Sequence, residues 1–347
     1  MSRRPRRAEL LLLGATLLAL GLGLWGAELA FRAWAPPAEL LGHALGDLHV
    51  YSERYGWEPR PRFRGRVAGA RVTINARGYR GRLHPARPTP GRPRWLLLGD
   101  SVTFGYRVHD EQAFAHLLEA DGRAEALNLA VEGWGTGQQV LRLEHELAGA
   151  RATGVLLNLC LENDVVDNWL GAHLYDGRSP QPYFRLERGR LVLHDAHLRL
   201  PAWRRPGLWL ERHSLLFARL ARAPAPPPPP GAGARWRVAK EQVLRDPRPA
   251  LELTFALLRR ADQLCRAAGA RLLVVLHPNK RALQGRASLR EALLSAPELD
   301  GIERLDLAQG YLKRRLSPAE LFLDGSGHLT PRGHELVVAL LRERLRP

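Results

Sequence analysis

Between residues 95 and 307 the chain alternates short, almost purely apolar runs with longer stretches whose apolar positions recur every three to four residues. The short runs cover 95–99, 126–130, 154–160, 271–277 and 302–307. A strand buried on both faces has no solvent side and so loses the in-out alternation; runs of this length predict such strands. Residues 250–268 carry the clearest helical pattern. There Leu257, Leu258, Ala261, Leu264, Cys265 and Ala268 share one face, and Gly269 supplies the stop. Thr330 as a cap and Pro331 as a first helical residue start a last helix that runs to about Arg344. Five strands with helices between them predict a three-layer α/β/α domain around a five-stranded parallel sheet. Its ligand site belongs at the carboxyl ends of the strands.

The pattern breaks in two places. Residues 36–92 are rich in proline, glycine and arginine, hold one clear strand at 71–75 followed by ARGYRG, and form a lead-in that must lie over the main domain of 93–347. Residues 169–245 form an insertion over the sheet's active edge. Within it, 182–194 (PYFRLERGRLVLH) reads as a hairpin turning near Arg188 and Gly189, and 223–234 (APAPPPPPGAGA) as a polyproline linker.

The N-terminus has a different pattern again. SRRPRR at 2–7 precedes an uncharged run at 10–27, which as a helix is about 27 Å long, close to the hydrocarbon thickness of a bilayer. A cleaved signal peptide has a shorter apolar core and a small-x-small site. Here the run continues into Glu28, Phe31 and Trp34, which suit a membrane interface. Residues 1–35 therefore read as a basic tip and a single transmembrane anchor, with the arginines cytoplasmic and the C-terminal domain extracytoplasmic, periplasmic or at the cell surface.

Composition changes this picture little. An apolar fraction of 45% over 347 residues is that of a globular protein with a core. The formal charge of +17 is almost wholly arginine, since Lys240, Lys280 and Lys313 are the only lysines. No basic stripe interleaved with aromatics and no zinc-finger, basic-zipper or RNP-type motif accompanies it, so the charge points to an anionic membrane surface and not to nucleic acid. Cys160 and Cys265 lie in apolar segments and read as small buried hydrophobes, with a disulfide as the alternative outside the cytoplasm.

The candidate chemistry sits at strand ends. LLLGDSVTFGY at 96–106 places Ser101 where a strand-to-helix turn presents its hydroxyl beside backbone amides; alone, such a serine is as readily a helix cap. It is followed in order by Asn128 and Gly133 (N-x-x-x-x-G), by Asn163-Asp164 after the third strand, and by Asp324 and His328 in DGSGHLTPRGH. GWGTGQQ is not a dinucleotide fingerprint, because Gln138 stands where the third glycine belongs. No HExxH and no histidine cluster at metal spacing occurs, so neither metal nor cofactor is expected.

These four blocks, across about 93–345, resemble the SGNH (GDSL-type) hydrolase superfamily. The resemblance implies a flavodoxin-like domain and a serine esterase. Ser101 is then the nucleophile, His328 the general base and Asp324 the residue that orients it, while the Ser101 amide, the Gly133 amide and the Asn163 side chain form the oxyanion site. Two positions depart from the family pattern. Leu161 replaces a glycine two residues before Asn163, and Gly325 occupies the acidic position three before His328, leaving Asp324 four before it. Either the glycines let the loop bulge so that Asp324 reaches the imidazole, or a backbone carbonyl or Ser326 orients it in a serine-histidine pair. The implied substrate is an acyl-ester small molecule or an O-acetylated envelope glycan or lipid. An O-acetyltransferase for an exported polysaccharide and a silent envelope scaffold are the other readings.

Overall fold

The computed structural model describes residues 7–34, 48–161, 163–172, 180–220, 232–278, 283, 288–323 and 327–345. In chain order they form helix α1 (Arg7–Trp34), strands β1 (His49–Ser52), β2 (Gly56–Pro59), β3 (Arg64–Val67), β4 (Ala70–Thr73) and β5 (Arg94–Leu98), and helices α2 (Ser101–Phe104) and α3 (Phe114–Glu119). Then come β6 (Glu125–Asn128), α4 (Thr136–Ala150), β7 (Gly154–Cys160), α5 (Asp164–Leu170), β8 (Tyr183–Glu187) and β9 (Arg190–His194). Helices α6 (Arg205–His213), α7 (Leu215–Leu220), α8 (Ala232–Arg245) and α9 (Arg248–Ala267) lead to β10 (Arg271–His277), α10 (Ser288–Ser295) and β11 (Glu303–Asp306). Helices α11 (Leu307–Lys313), α12 (Pro318–Leu321) and α13 (Pro331–Arg344) close the chain.

The five expected strands form one parallel sheet in the order β11-β10-β7-β5-β6. Counted along the chain this is the doubly wound order 2-1-3-4-5, whose switch point lies between the first and third strands, here β5 and β7. Successive side chains of a strand point to opposite faces. Leu96, Leu98, Val155, Leu157, Val274 and Leu276 accordingly join the core under α4, α5 and α9. Trp95, Leu97, Leu156, Leu273 and Val275 join the other face, packed by α3, α11 and α13. Cys160 belongs to the second layer and Cys265 to the first, so the sheet separates them and no disulfide joins them.

The hairpin in the insertion pairs β8 with β9 in register from Tyr183↔His194 to Glu187↔Arg190, turning at Arg188 with φ 51° and Gly189 with φ 74°. The linker reading is shortened: α8 begins at Ala232, so its last three residues are helical, and 223–231 lie outside the described residues. The lead-in holds more order than one strand, forming the hairpins β1–β2 and β3–β4. Alternation over four residues is too brief to register, and their pairing comes from packing on the main domain.

Candidate active site

The turn after β5 is shaped by what it must fit. A Cβ on Gly99 would lie 2.1 Å from Thr103 Oγ1 and 3.3 Å from Asn158 Cβ, so only glycine lets the chain leave the sheet here. Asp100 caps α2 by accepting from the Val102 amide at 2.9 Å. Ser101 is the first residue of the helix, so its amide has no intrahelical acceptor. Gly105, at φ 91°, ends the turn in the left-handed region.

Arg80 of the lead-in holds this turn from behind. Its guanidinium donates to the carbonyls of Phe104 at 2.6 Å, Gly105 at 2.5 Å and Val108 at 2.7 Å, and pairs with Asp110 at 2.9 Å. Asn128 adds a donor to the Thr103 carbonyl at 3.1 Å. Trp57, also in the lead-in, donates to the Glu132 carbonyl at 3.0 Å and braces the loop of Gly133, which sits at φ 76°.

Ser101 and His328, 227 positions apart, meet at the switch point: Oγ lies 2.9 Å from Nε2. With the ring proton on Nδ1, Nε2 accepts from the serine hydroxyl, the arrangement that activates a serine. The His328 ring tilts against Tyr106 with centroids 4.8 Å apart. Asp324 lies outside the described residues, as do Gly325 and Ser326.

The support of the histidine loop includes a residue that sequence reasoning missed. His277, at the end of β10, donates from Nε2 to the Gly327 carbonyl at 3.1 Å. Burial holds its pKa down at about 4, so the ring is neutral and one nitrogen can carry the donated hydrogen. Nothing in its sequence context separates it from the last apolar residue of a strand.

Asn163 stands at the start of α5, on the same sheet edge. Its Nδ2 donates to Asp167 Oδ2 at 2.9 Å and lies 3.3 Å from Asp100 Oδ2, so the amide is engaged by carboxylates. Asp164 accepts from the Cys160 amide at 2.8 Å. Three carboxyls thus share one buried corner. Burial raises all three, Asp167 to about 7, and the negative charge of Asp100 raises Asp164 and Asp167 further. Trp236 of α8 donates to Asp167 Oδ1 at 3.2 Å, with Lys240 4.6 Å over its ring, so the insertion reaches the residue that orients Asn163.

The structure therefore brings Ser101 and His328 into contact and places Asn163 beside Asp100. Gly133 lies in the loop after β6, joined to the turn of Ser101 by the Val131 amide donating to the Gly99 carbonyl at 3.2 Å. Among the described residues no group of three or more histidine, cysteine or acidic side chains has metal-binding geometry.

No family model and no curated protein sequence matches this chain. Among solved structures it is similar to a GDSL-like lipase from Bacteroides thetaiotaomicron, at 11% identity over 75% of this chain and 91% of that one, with a TM-score of 0.38. TesA matches at 13% identity over 73% of this chain and 98% of its own, TM-score 0.39. A catalytic mutant of Axe2, an acetylxylan esterase from Geobacillus stearothermophilus, matches at 11% identity over 76% and 98%, TM-score 0.39.

Proposed function

We propose that this chain is a serine ester hydrolase of the SGNH type, held at a membrane by α1 with its α/β/α domain outside the cytoplasm. The observation that carries the reading is the 2.9 Å contact between Ser101 Oγ and His328 Nε2 at the switch point of the sheet. In this reading Oγ attacks the carbonyl carbon of the ester while its proton passes to Nε2. The oxygen that becomes negative faces the amides of Ser101 and Gly133 and an N–H of Asn163, and each such donor is worth on the order of 3 kcal/mol. Asp167 holds one hydrogen of the Asn163 amide. The other, which makes the longer 3.3 Å contact to Asp100, is the one offered to the oxyanion. The imidazolium then gives its proton to the departing alkoxide, and water regenerates the serine from the acyl-enzyme by the same exchange.

Asp324 completes the triad in this proposal by accepting from His328 Nδ1. α1 supports the anchor: residues 7–31 form an apolar helix of spanning length, and none of its most apolar stretch is buried in the protein. The substrate class is an acyl ester on an envelope glycan or lipid, with Axe2 as an example of a structural neighbour that acts on acetylated carbohydrate.

A fluorophosphonate probe tests the nucleophile. Wild-type protein becomes covalently labelled and Ser101→Ala does not; equal labelling of both, or of neither, removes Ser101 from this role.

A further inference from the structure

The insertion contains a feature that the proposed catalysis does not use. Glu28, near the end of α1, accepts from Ser214 Oγ at 2.8 Å and from the amides of Leu215 at 2.8 Å and Leu216 at 3.1 Å. A carboxylate of the apolar helix thus caps α7, taking up donors that the start of a helix leaves without partners. One turn further along each helix, Arg219 lies 5.2 Å over the Phe31 ring. α6 and α7 are consequently fastened to α1 where it leaves its apolar stretch.

The outward side of this segment is not built for water. Trp203, Pro206, Trp209, Leu210 and His213 are exposed and recur at helical spacing, so they form one stripe along α6 and the turn before it. Trp203 is 78% exposed, Trp209 60%, and Leu220 at the end of α7 77%. Residues 199–220 carry five arginines, Arg199, Arg204, Arg205, Arg212 and Arg219, against the single acid Glu211. Arg212 is engaged by Glu58, whereas Arg199 and Arg205 make only long contacts, to Asp195 at 3.5 Å and Glu53 at 3.7 Å, and stay 72% and 63% exposed, open to headgroups. Tryptophans beside arginines on an amphipathic helix are the composition of a surface that lies in the lipid headgroup layer.

We infer that α6 and α7 rest in the interfacial layer of an anionic bilayer, seating the domain against the membrane that α1 crosses. The occupant of the stripe is lipid and not a second protein: the stripe continues from a spanning helix through the Glu28 cap, and its charge complements acidic headgroups. This rests on the anchor reading above. Its consequence is orientation. A domain fastened at one point would be free to turn about it, whereas one seated through Trp203 and Trp209 presents a fixed side to the membrane.

The test uses the full chain in vesicles of phosphatidylcholine and phosphatidylglycerol, with one bimane label at a time on Leu18→Cys, Leu210→Cys, Leu220→Cys or Leu312→Cys. The native thiols are buried and stay unlabelled. Labels at 18, 210 and 220 lose about half or more of their fluorescence to doxyl-labelled lipid, as expected of groups within the acyl-headgroup boundary. The label at 312, an exposed position on α11, responds only to aqueous iodide. Quenching at 210 falls when phosphatidylglycerol is left out and when Trp203 and Trp209 are both replaced by serine. If 18 is quenched by lipid but 210 and 220 behave like 312, the seat is overturned and the anchor stands. If 18 itself escapes lipid, the anchor reading fails and the seat with it.

Discussion

His277 donates from Nε2 to the carbonyl oxygen of Gly327 at 3.1 Å, tying the end of β10 to the residue just before His328. The bond acts on catalysis only through the loop, so its loss belongs in kcat. His277→Ala is expected to lower kcat for p-nitrophenyl acetate about 10- to 100-fold with KM little changed, the scale of a catalytic group displaced by an ångström. His277→Asn, which keeps a donor, recovers part of it. A change confined to KM would count against this role.

His328 is the general base of the proposed mechanism, and replacing it removes that group. His328→Ala should lower kcat by about three orders of magnitude or more while far-ultraviolet circular dichroism and the urea midpoint stay close to wild type. An unchanged rate would take His328 out of the mechanism.

Asp167 holds Asn163 by the shortest of its three carboxylate contacts. Asp167→Ala frees that amide to rotate and is expected to cost about tenfold in kcat, part of what one oxyanion donor supplies. Trp236→Phe removes only the 3.2 Å bond to Asp167 and should cost less. Steady-state kinetics on both variants place the order of the effects, and a larger loss for Trp236→Phe would contradict it.

Stability responds to pH through groups of opposite sense. Burial raises the carboxyl of Glu132 from its ordinary 4.5 to about 7, so in that interval the folded protein keeps a proton that the unfolded chain has released. This contribution is present at low pH and is lost as the pH rises to 7. Buried His277 and His334 are held down at about 4 and about 3, so theirs is present above the ordinary 6.5 and is lost as the pH falls. Glu132→Gln leaves the histidines in place. Between pH 4.5 and 7 the variant should gain stability with pH more steeply than wild type, by up to about 1.4 kcal/mol per pH unit. Urea midpoints at the two ends of the range measure it.

Arg94 is fully buried and fully bonded, to Glu125 at 2.7 Å and to the carbonyls of Pro85, Ala86, Arg87 and Ala150. Arg94→Met leaves Glu125 buried without its cation and four carbonyls short of a donor. A loss of about 3–5 kcal/mol is expected in urea unfolding. A loss below about 1 kcal/mol would mean that water or a neighbouring arginine takes its place.

The parts legible in advance share a local cause. The runs at 95–99, 154–160 and 271–277 announce themselves because burial on both sheet faces leaves few polar residues in a strand, here Asn158 inside one run and Arg271 and His277 at the ends of another. Thr330 and Pro331 announce a helix start because the cap and the fixed proline φ act within one turn. Ser101 stood out by its place after such a run. Arg80, Trp57 and His277 did not, since each acts through a partner between 24 and 75 positions away and looks, in its own neighbourhood, like a surface arginine, a turn aromatic or a strand end.

What the sequence by itself determined is the order of elements, the apolar N-terminal helix and the candidate nucleophile, all consequences of side-chain periodicity and short-range backbone rules. The motif order had singled out His328 among thirteen histidines; only the tertiary structure decided that its Nε2 lies 2.9 Å from Ser101 Oγ, that the Asn163 amide is turned to Asp167, and that the insertion is pinned at Glu28 and Asp167. Those contacts span tens to hundreds of positions. They exist because winding the chain through one parallel sheet brings all its carboxyl ends to a single edge, a condition that no window of neighbouring residues contains.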